Sequence, residues 1–230
     1  MNIQKGNAGI NWTDATWNPV TGCLHGCPYC YARRIAERFG RGFEPEFHAD
    51  RLSEPLHYRS PLKVFVGSTA DQFGTWVPRE WNNAVFDVVR RCPQHTFQFL
   101  TKAPRNLVRY NPFPANCWVG ATANNQAMID NALFCLALVK ATVRFVSAEP
   151  LLGPIDADLS AIEWLIIGAQ TGPGGHQPDP AWVVRLIECA RASGTAVWFK
   201  DNLAWPTQIN EWPATRLEHM AHQAQLFGAL

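Results

Sequence analysis

Short apolar runs rich in β-branched and aromatic residues recur along this chain. Each is followed by a polar or glycine-containing turn and then by a stretch with helical periodicity. The clearest runs are Lys63 to Gly67, Thr96 to Thr101, Cys117 to Ala121, Val143 to Ser147, Trp164 to Gly168 and Ala196 to Lys200, with a shorter one around Thr16 to Val20. Helical spacing covers Ala32 to Phe39, Arg79 to Arg91, Pro104 to Tyr110, Ala123 to Lys140 and Pro180 to Ser193, several opened by Pro or Asn and closed near Gly or Pro. Runs such as Trp164-Leu165-Ile166-Ile167 are apolar at every position, which suits a parallel sheet buried on both faces. The pattern predicts an α/β fold, a partial (β/α) barrel of six to seven parallel strands; a doubly wound open sheet would give a similar string.

Two segments depart from the pattern. Gly40 to Leu62 carries Pro45, Pro55 and Pro61 with His48 and His57 and has weaker periodicity, so 40–62 reads as a lid. The tail, 205–230, is irregular apart from a short helix expected over Thr215 to Phe227. No repeat or low-complexity segment appears, and 1–230 reads as one domain. A hydrophobic content of 47%, with 13 Phe and 10 Trp against 17% charged residues, excludes a disordered or coiled-coil chain.

A net charge of +1 gives no global field for a polyanion, so such a contact would be local. Arg33, Arg34, Arg38 and Arg41, and the pair Arg90 and Arg91, read as solvated helix faces in preference to a binding stripe. The start lacks an apolar signal core and no apolar run approaches about 18 residues, which predicts a cytoplasmic chain without a membrane span. Seven Cys in a chain with no export signal argue against a disulfide framework. Reduced thiols make metal chemistry the natural expectation.

Asn18-Pro19-Val20-Thr21-Gly22-Cys23-Leu24-His25-Gly26-Cys27-Pro28-Tyr29-Cys30 places three thiols on one tight loop (22–31), after a short strand and before a helix. Iron–sulfur clusters are held by thiolates, and a loop with Gly22, Gly26 and Pro28 can wrap a cubane with its N–H groups toward the sulfides. Cys23, Cys27 and Cys30 on a [4Fe-4S] cluster leave one iron open to chelate the amino and carboxylate groups of a cofactor. The competing reading is a zinc site with His25 as fourth ligand, but no second Cys or His pair of suitable spacing follows; His25 is assigned to the loop exterior and His219 and His222 to a surface helix. Cys92, Cys117, Cys135 and Cys189 stand singly and are expected to pack as small apolar residues.

The Cys-x3-Cys-x2-Cys spacing, with aromatic Tyr29 just before the last Cys, resembles the signature of the radical S-adenosylmethionine (radical SAM) superfamily. More narrowly, Asn11 to Cys23, Phe65-Val66-Gly67-Ser68-Thr69-Ala70-Asp71 and Ser147-Ala148-Glu149-Pro150-Leu151-Leu152-Gly153 resemble an uncharacterised phage-associated three-Cys-motif family, over most of the chain up to about Pro213. The resemblance implies a [4Fe-4S] cluster and S-adenosyl-L-methionine, reductive cleavage of that cofactor to methionine and a 5′-deoxyadenosyl radical, and a flavodoxin- or ferredoxin-like one-electron donor. It supplies no substrate; a phage association points to a nucleobase, nucleotide or nucleic acid, and a minimal core leaves room for a protein partner.

In a parallel barrel functional residues gather at the carboxyl ends of the strands. Ser68 and Thr69, with Asp71 nearby, fall where the resemblance implies contact with the methionine amino group; alternatively Ser68 and Asp71 cap the next helix. Thr101 and Lys102 end one strand and Thr122 follows another, each within reach of ribose or carboxylate. Ser147 and Glu149 follow the next. Gln170, in the glycine-rich turn Ile167 to Gly175, is expected on the adenine or substrate side. Lys200, beside Asp201, ends the last strand and suits a carboxylate or phosphate, with snorkelling as the plain alternative. Tyr29, Ser68, Thr69, Asp71, Thr122, Ser147 and Gln170 are therefore assigned to the cofactor, and Glu149 and Lys200 to catalysis. Two rival readings remain: a non-enzymatic iron–sulfur or zinc module that regulates a partner, and a barrel hydrolase using Asp71 and Glu149 as paired acids.

Overall fold

The computed structural model describes residues 1–4, 9–172 and 174–214. Seven strands run parallel in one sheet: β2 (Ala15–Trp17), β5 (Lys63–Val66), β6 (Thr96–Thr101), β7 (Cys117–Thr122), β8 (Val143–Ala148), β9 (Trp164–Ile167) and β10 (Ala196–Phe199), with β1 (Asn2–Ile3) antiparallel on the outer edge of β2. Their spatial order follows the chain, which excludes the doubly wound alternative, because that topology reverses strand order at a switch point. The sheet curls as an open partial barrel. A separate pair, β3 (Val20–Thr21) with β4 (Glu46–Phe47), stands beside it. Pro19 splits the single run expected over 16–20: it has no N–H for a ladder, so β2 stops at Trp17 and the chain turns.

The crossovers carry α1 (Tyr31–Arg38), α2 (Arg79–Arg91), α3 (Gln126–Ala137) and α4 (Pro180–Ala192). Pro104–Tyr110 forms a 3-10 helix in place of the expected α-helix, and the β8–β9 connection has none; Leu151, Ile155, Leu159 and Ile162 cover the sheet there without one. The helix side of the sheet is one continuous core that includes Val64, Phe97, Val119, Val146, Leu165 and Phe199. Each such side chain contributes roughly 1.5–3 kcal/mol by burial. Within it Arg144 donates from Nη2 to Glu163 Oε1 at 2.9 Å, an ion pair almost wholly out of water.

Alternate residues face the lumen. Gly120 pairs in register with Phe145, Phe145 with Trp164 and Trp164 with Ala196, so they share a level. A Cβ on Gly120 would stand 2.6 Å from the Phe145 ring, so the glycine leaves the space that ring fills. Trp12 enters from the amino-terminal loop, 4.7 Å from Phe65 and 6.1 Å from Trp164 between ring centroids. Trp118, Trp198 and Trp212 complete the plug, and Lys63 Nζ lies 4.2 Å above the Trp212 ring.

The free edge of β10 is covered by the tail, where Phe199 N–H donates to Ile209 O at 2.7 Å and Glu211 N–H to Val197 O at 2.9 Å. Asn11 ties the amino-terminal loop to β10, donating to Phe199 O at 3.1 Å and Asp201 Oδ1 at 2.7 Å. Segment 40–62, the expected lid, is tied to the strands beside the Cys loop by Trp17 Nε1 to Arg51 O (2.8 Å) and Thr21 Oγ1 to His48 Nε2 (2.8 Å), and its Phe43 lines the cavity. The helix expected over 215–227, with His219 and His222, lies outside the described residues. Among the described residues no helix is long and apolar enough to cross a membrane.

Candidate active site at the mouth of the barrel

The Cys loop begins where Gly22 threads between two other segments. Its φ of +81° lies in the left-handed region, its N–H donates to Thr69 O at 3.1 Å, and a Cβ there would stand 2.0 Å from Glu44 O. Only glycine fits. Cys23 N–H then donates to Phe43 O (3.0 Å), Arg33 Nη2 to Cys23 O (2.9 Å) and Cys30 N–H to Cys27 O (3.1 Å). Cys30 caps α1, its Sγ accepting from Arg33 N–H at 3.4 Å. All three thiols line one cavity of about 570 Å³ at the carboxyl ends of the strands. Burial, with the negative charges of Asp71, Cys27 and Cys30, pushes the Cys23 thiol up to about 11 against a backbone hydrogen bond from His25. Its thiolate therefore needs added positive charge nearby, which a metal group supplies. The remaining four cysteines are buried in the core as expected.

His25 is not on the loop exterior. Its Nε2 stands 2.6 Å from Asp71 Oδ2 and its ring meets Trp76 edge-on at 4.8 Å. Asp71 also accepts from Phe73 N–H (3.0 Å), Thr101 Oγ1 (2.7 Å) and Lys102 N–H (2.8 Å), so one buried carboxylate joins the Cys loop to the ends of two strands. Burial would raise this carboxyl; the hydrogen bonds from His25, Thr101 and Lys102 outweigh it and hold the group below the usual carboxylate range. The helix-capping alternative fails for both residues, since α2 opens on Pro78. Asp71 is thus a strut within the site, with no oxygen left over for a cofactor.

Ser68 and Thr69 are on the cavity wall, and both hydroxyls donate their protons to Asn18. Ser68 Oγ, Thr69 Oγ1 and Thr69 N–H all donate to Asn18 Oδ1, at 3.1, 3.2 and 3.2 Å, and Ser68 O accepts from the Tyr31 hydroxyl. They thereby latch the end of β5 to the turn that leads into the Cys loop, and their oxygens can still accept from an amino group. Asn18 went unnoticed in the sequence because Asn-Pro signals a turn whatever its side chain does.

Tyr29 meets the opposite wall. Asn124 Nδ2 donates to its hydroxyl at 2.6 Å, and Lys102 Nζ lies 5.7 Å from its ring. Burial and the nearby Cys27 push the phenol up to about 12, so it stays protonated. Asn124 Oδ1 is buried and, among the described residues, has no partner, but Asn124 itself does not line the cavity. Lys102 Nζ also donates to Thr122 Oγ1 at 3.4 Å and, among the described residues, pairs with no carboxylate.

Lys200 and Glu149 come together as an ion pair of 2.8 Å, both side chains mostly buried, with Thr171 Oγ1 donating to Glu149 Oε1 at 3.3 Å. Gly168 makes room: a Cβ there would stand 3.1 Å from Glu149 Cγ and 3.2 Å from Lys200 Cβ. Snorkelling is thereby excluded for Lys200, and the paired-acid hydrolase loses both members, Asp71 to its four donors and Glu149 to Lys200. Thr122 and Ser147 line the cavity. Gln170 does not line it. β9 ends at Ile167, so the alternation that would turn residue 170 inward is lost; Thr171 takes that place, its carbonyl accepting from Arg34 Nη2 at 2.6 Å. Arg33 and Arg34 are therefore not simply solvated, whereas Arg90 and Arg91 are exposed as expected.

Fold and site together define a class: an open (β/α) barrel with a three-cysteine loop at the mouth of its cavity. A mutant of spore photoproduct lyase shares the fold with a TM-score of 0.50 at 14% identity, over 86% of this chain and 59% of that one. This chain thus spans about 59% of that enzyme's length. Spore photoproduct lyase complexed with dinucleoside spore photoproduct also matches, with a TM-score of 0.47 at 13% identity over 78% of this chain and 53% of that one. No curated protein matches. The particular family comes from the sequence: residues 7–227 match the family described as protein of unknown function DUF5131, and the chain belongs to it. That description carries no phage association.

Proposed function

We propose that this chain is a radical SAM enzyme whose Cys23, Cys27 and Cys30 hold a [4Fe-4S] cluster, with S-adenosylmethionine in the adjoining cavity and a nucleobase or nucleotide as substrate. The observation that carries the reading is the loop of three free thiols on the wall of a cavity of about 570 Å³, within the usual size of a small-molecule site. The donor set fits the group: three cysteines, a glycine-threaded loop, and no disulfide that would consume them. A zinc centre fits less well, because among the described residues no three His, Cys, Asp or Glu side chains converge as ligands for one ion, and His25 is engaged with Asp71. When bound, the cluster and its cofactor supply a one-electron reductive cleavage that starts hydrogen abstraction, with a flavodoxin- or ferredoxin-like protein as donor.

The chain's own groups divide the remaining work. Lys102, a cavity cation without a carboxylate partner, suits the cofactor's carboxylate. Tyr29, held by Asn124, offers a neutral hydroxyl to an amine or adenine edge. Glu149 and Lys200, opposed in charge and held by Thr171, orient ribose or substrate hydroxyls while keeping the cavity close to neutral.

The test is anaerobic: reconstitute with iron and sulfide, reduce with dithionite, add S-adenosylmethionine, and quantify 5′-deoxyadenosine beside a Cys23→Ala/Cys27→Ala/Cys30→Ala variant. Cysteine-dependent product is expected. A protein that takes up zinc and assembles no cluster would overturn the reading.

A further inference from the structure

Among the described residues, one face of α1 is left largely uncovered. At about 100° per residue, Tyr31, Ile35 and Phe39 form a stripe and Arg34 and Arg38 the stripe beside it, with Arg41 just past the helix end. Ile35 is 52% and Phe39 66% exposed. Among the described residues none of Arg34, Arg38 and Arg41 pairs with a carboxylate, and Glu37 is the single acid of the helix. Residues 31–41 carry four arginines against that one glutamate, on a chain whose whole net charge is +1. The Arg41 guanidinium lies 5.9 Å from the Phe39 ring centroid, and Tyr31 and Ile35 also line the cavity, so the face runs unbroken to its mouth.

A row of cations beside a row that carries two rings suits a polyanion with stackable faces. We infer that this face of α1 docks single-stranded nucleic acid, Arg38 and Arg41 contacting phosphates and Phe39 stacking a base, so that the target nucleotide enters the cavity past Tyr31 and Ile35. The inference rests on the nucleotide reading of the substrate, but docking itself requires no cluster. An acidic electron carrier would use the arginines and leave the rings and their continuity with the cavity without purpose.

The experiment measures binding of labelled single-stranded DNA and RNA oligonucleotides of about 16 nucleotides to the full chain by fluorescence anisotropy across a salt series. Arg38→Glu/Arg41→Glu is expected to weaken binding about tenfold or more and to lower the slope of log K against log salt by roughly 1.4, from about 0.7 per phosphate contact on a single strand. Phe39→Ala is expected to weaken binding about fivefold or more with the salt slope unchanged. Both variants lie outside the cavity wall and should keep wild-type formation of 5′-deoxyadenosine. Arginine-dependent oligonucleotide binding by a wild-type protein that makes no 5′-deoxyadenosine would uphold the docking face and sink the enzymatic reading. No binding to either strand, equal binding by all variants, or arginine-dependent capture of a flavodoxin in place of oligonucleotide would overturn the inference.

Discussion

The two ends of one lumen are built from the same alternate positions and do opposite things. On β8 the lumen face runs from Phe145 through Ser147 to Glu149, on β9 from Trp164 through Ile166 to Gly168, and on β10 from Ala196 through Trp198 to Lys200. At the amino ends these positions interlock as rings; at the carboxyl ends they carry hydroxyls, an ion pair and a space-giving glycine. Parity along a strand decides which face a residue occupies, and height along the strand decides whether it stabilises or binds. A barrel with one end plugged can keep charged and thiol groups at the other, because its cohesion does not depend on them.

Substitutions at the two ends should therefore separate activity from stability. The largest effect is expected for Cys27→Ala: 5′-deoxyadenosine formation is lost, while the denaturant midpoint barely moves, since the thiol is half exposed and caps nothing, a change within about 0.5 kcal/mol. A large drop in stability would show that the mouth holds the fold together. Trp164→Ala is the converse, opening a void beneath Trp12, Phe145 and Trp118; it should cost about 3–5 kcal/mol of unfolding free energy in a urea titration.

Arg144→Leu alone should cost up to about 3–5 kcal/mol, because it removes the guanidinium that faces the buried Glu163 carboxyl, and Arg144→Leu/Glu163→Leu should recover most of the loss. Equal destabilisation by single and double variants would mean that the pair itself supplies stability.

The smallest effect belongs to Glu211, which steadies the tail over β10. The hydrogen bond from Arg191, backed by Val197 N–H, holds its carboxyl below the usual value. A carboxyl depressed in the folded state adds stability above its unfolded pKa and loses it as pH falls through the folded one. The pair is half exposed, so the contribution is at most about 1 kcal/mol. The melting temperatures of wild type and Glu211→Gln should differ at neutral pH and converge below about pH 4; a gap that persists in acid would assign the effect to packing.

Much of this was legible in the chain. β5, β6, β7, β8, β9 and β10 fall within a residue of the expected runs, since strands buried on both faces announce themselves by apolar content alone. The Cys loop was legible for a similar reason: its ligand types, spacing and glycines are all local. Asp71 illustrates what was not. In sequence it is one acid after a turn; folded, it accepts from residues 46 positions before it and 30 and 31 after it. Asn18, Asn124 and Arg34 act across comparable separations, and an amide or guanidinium in a turn gives no local sign of its partner.

The sequence by itself determined the class of fold, the positions of its main strands along the chain and the three thiols, because periodicity and short-range spacing are properties of neighbouring residues. Only the tertiary structure decided that Ser68 and Thr69 donate to Asn18, that Glu149 faces Lys200, that Gln170 stands off the cavity wall, and that, among the described residues, the rings of α1 lie beside its arginines without a covering element. Those outcomes depend on which distant segments close on one another, and a hydrogen bond or ion pair spans only a few ångströms, so its existence is settled when the chain folds.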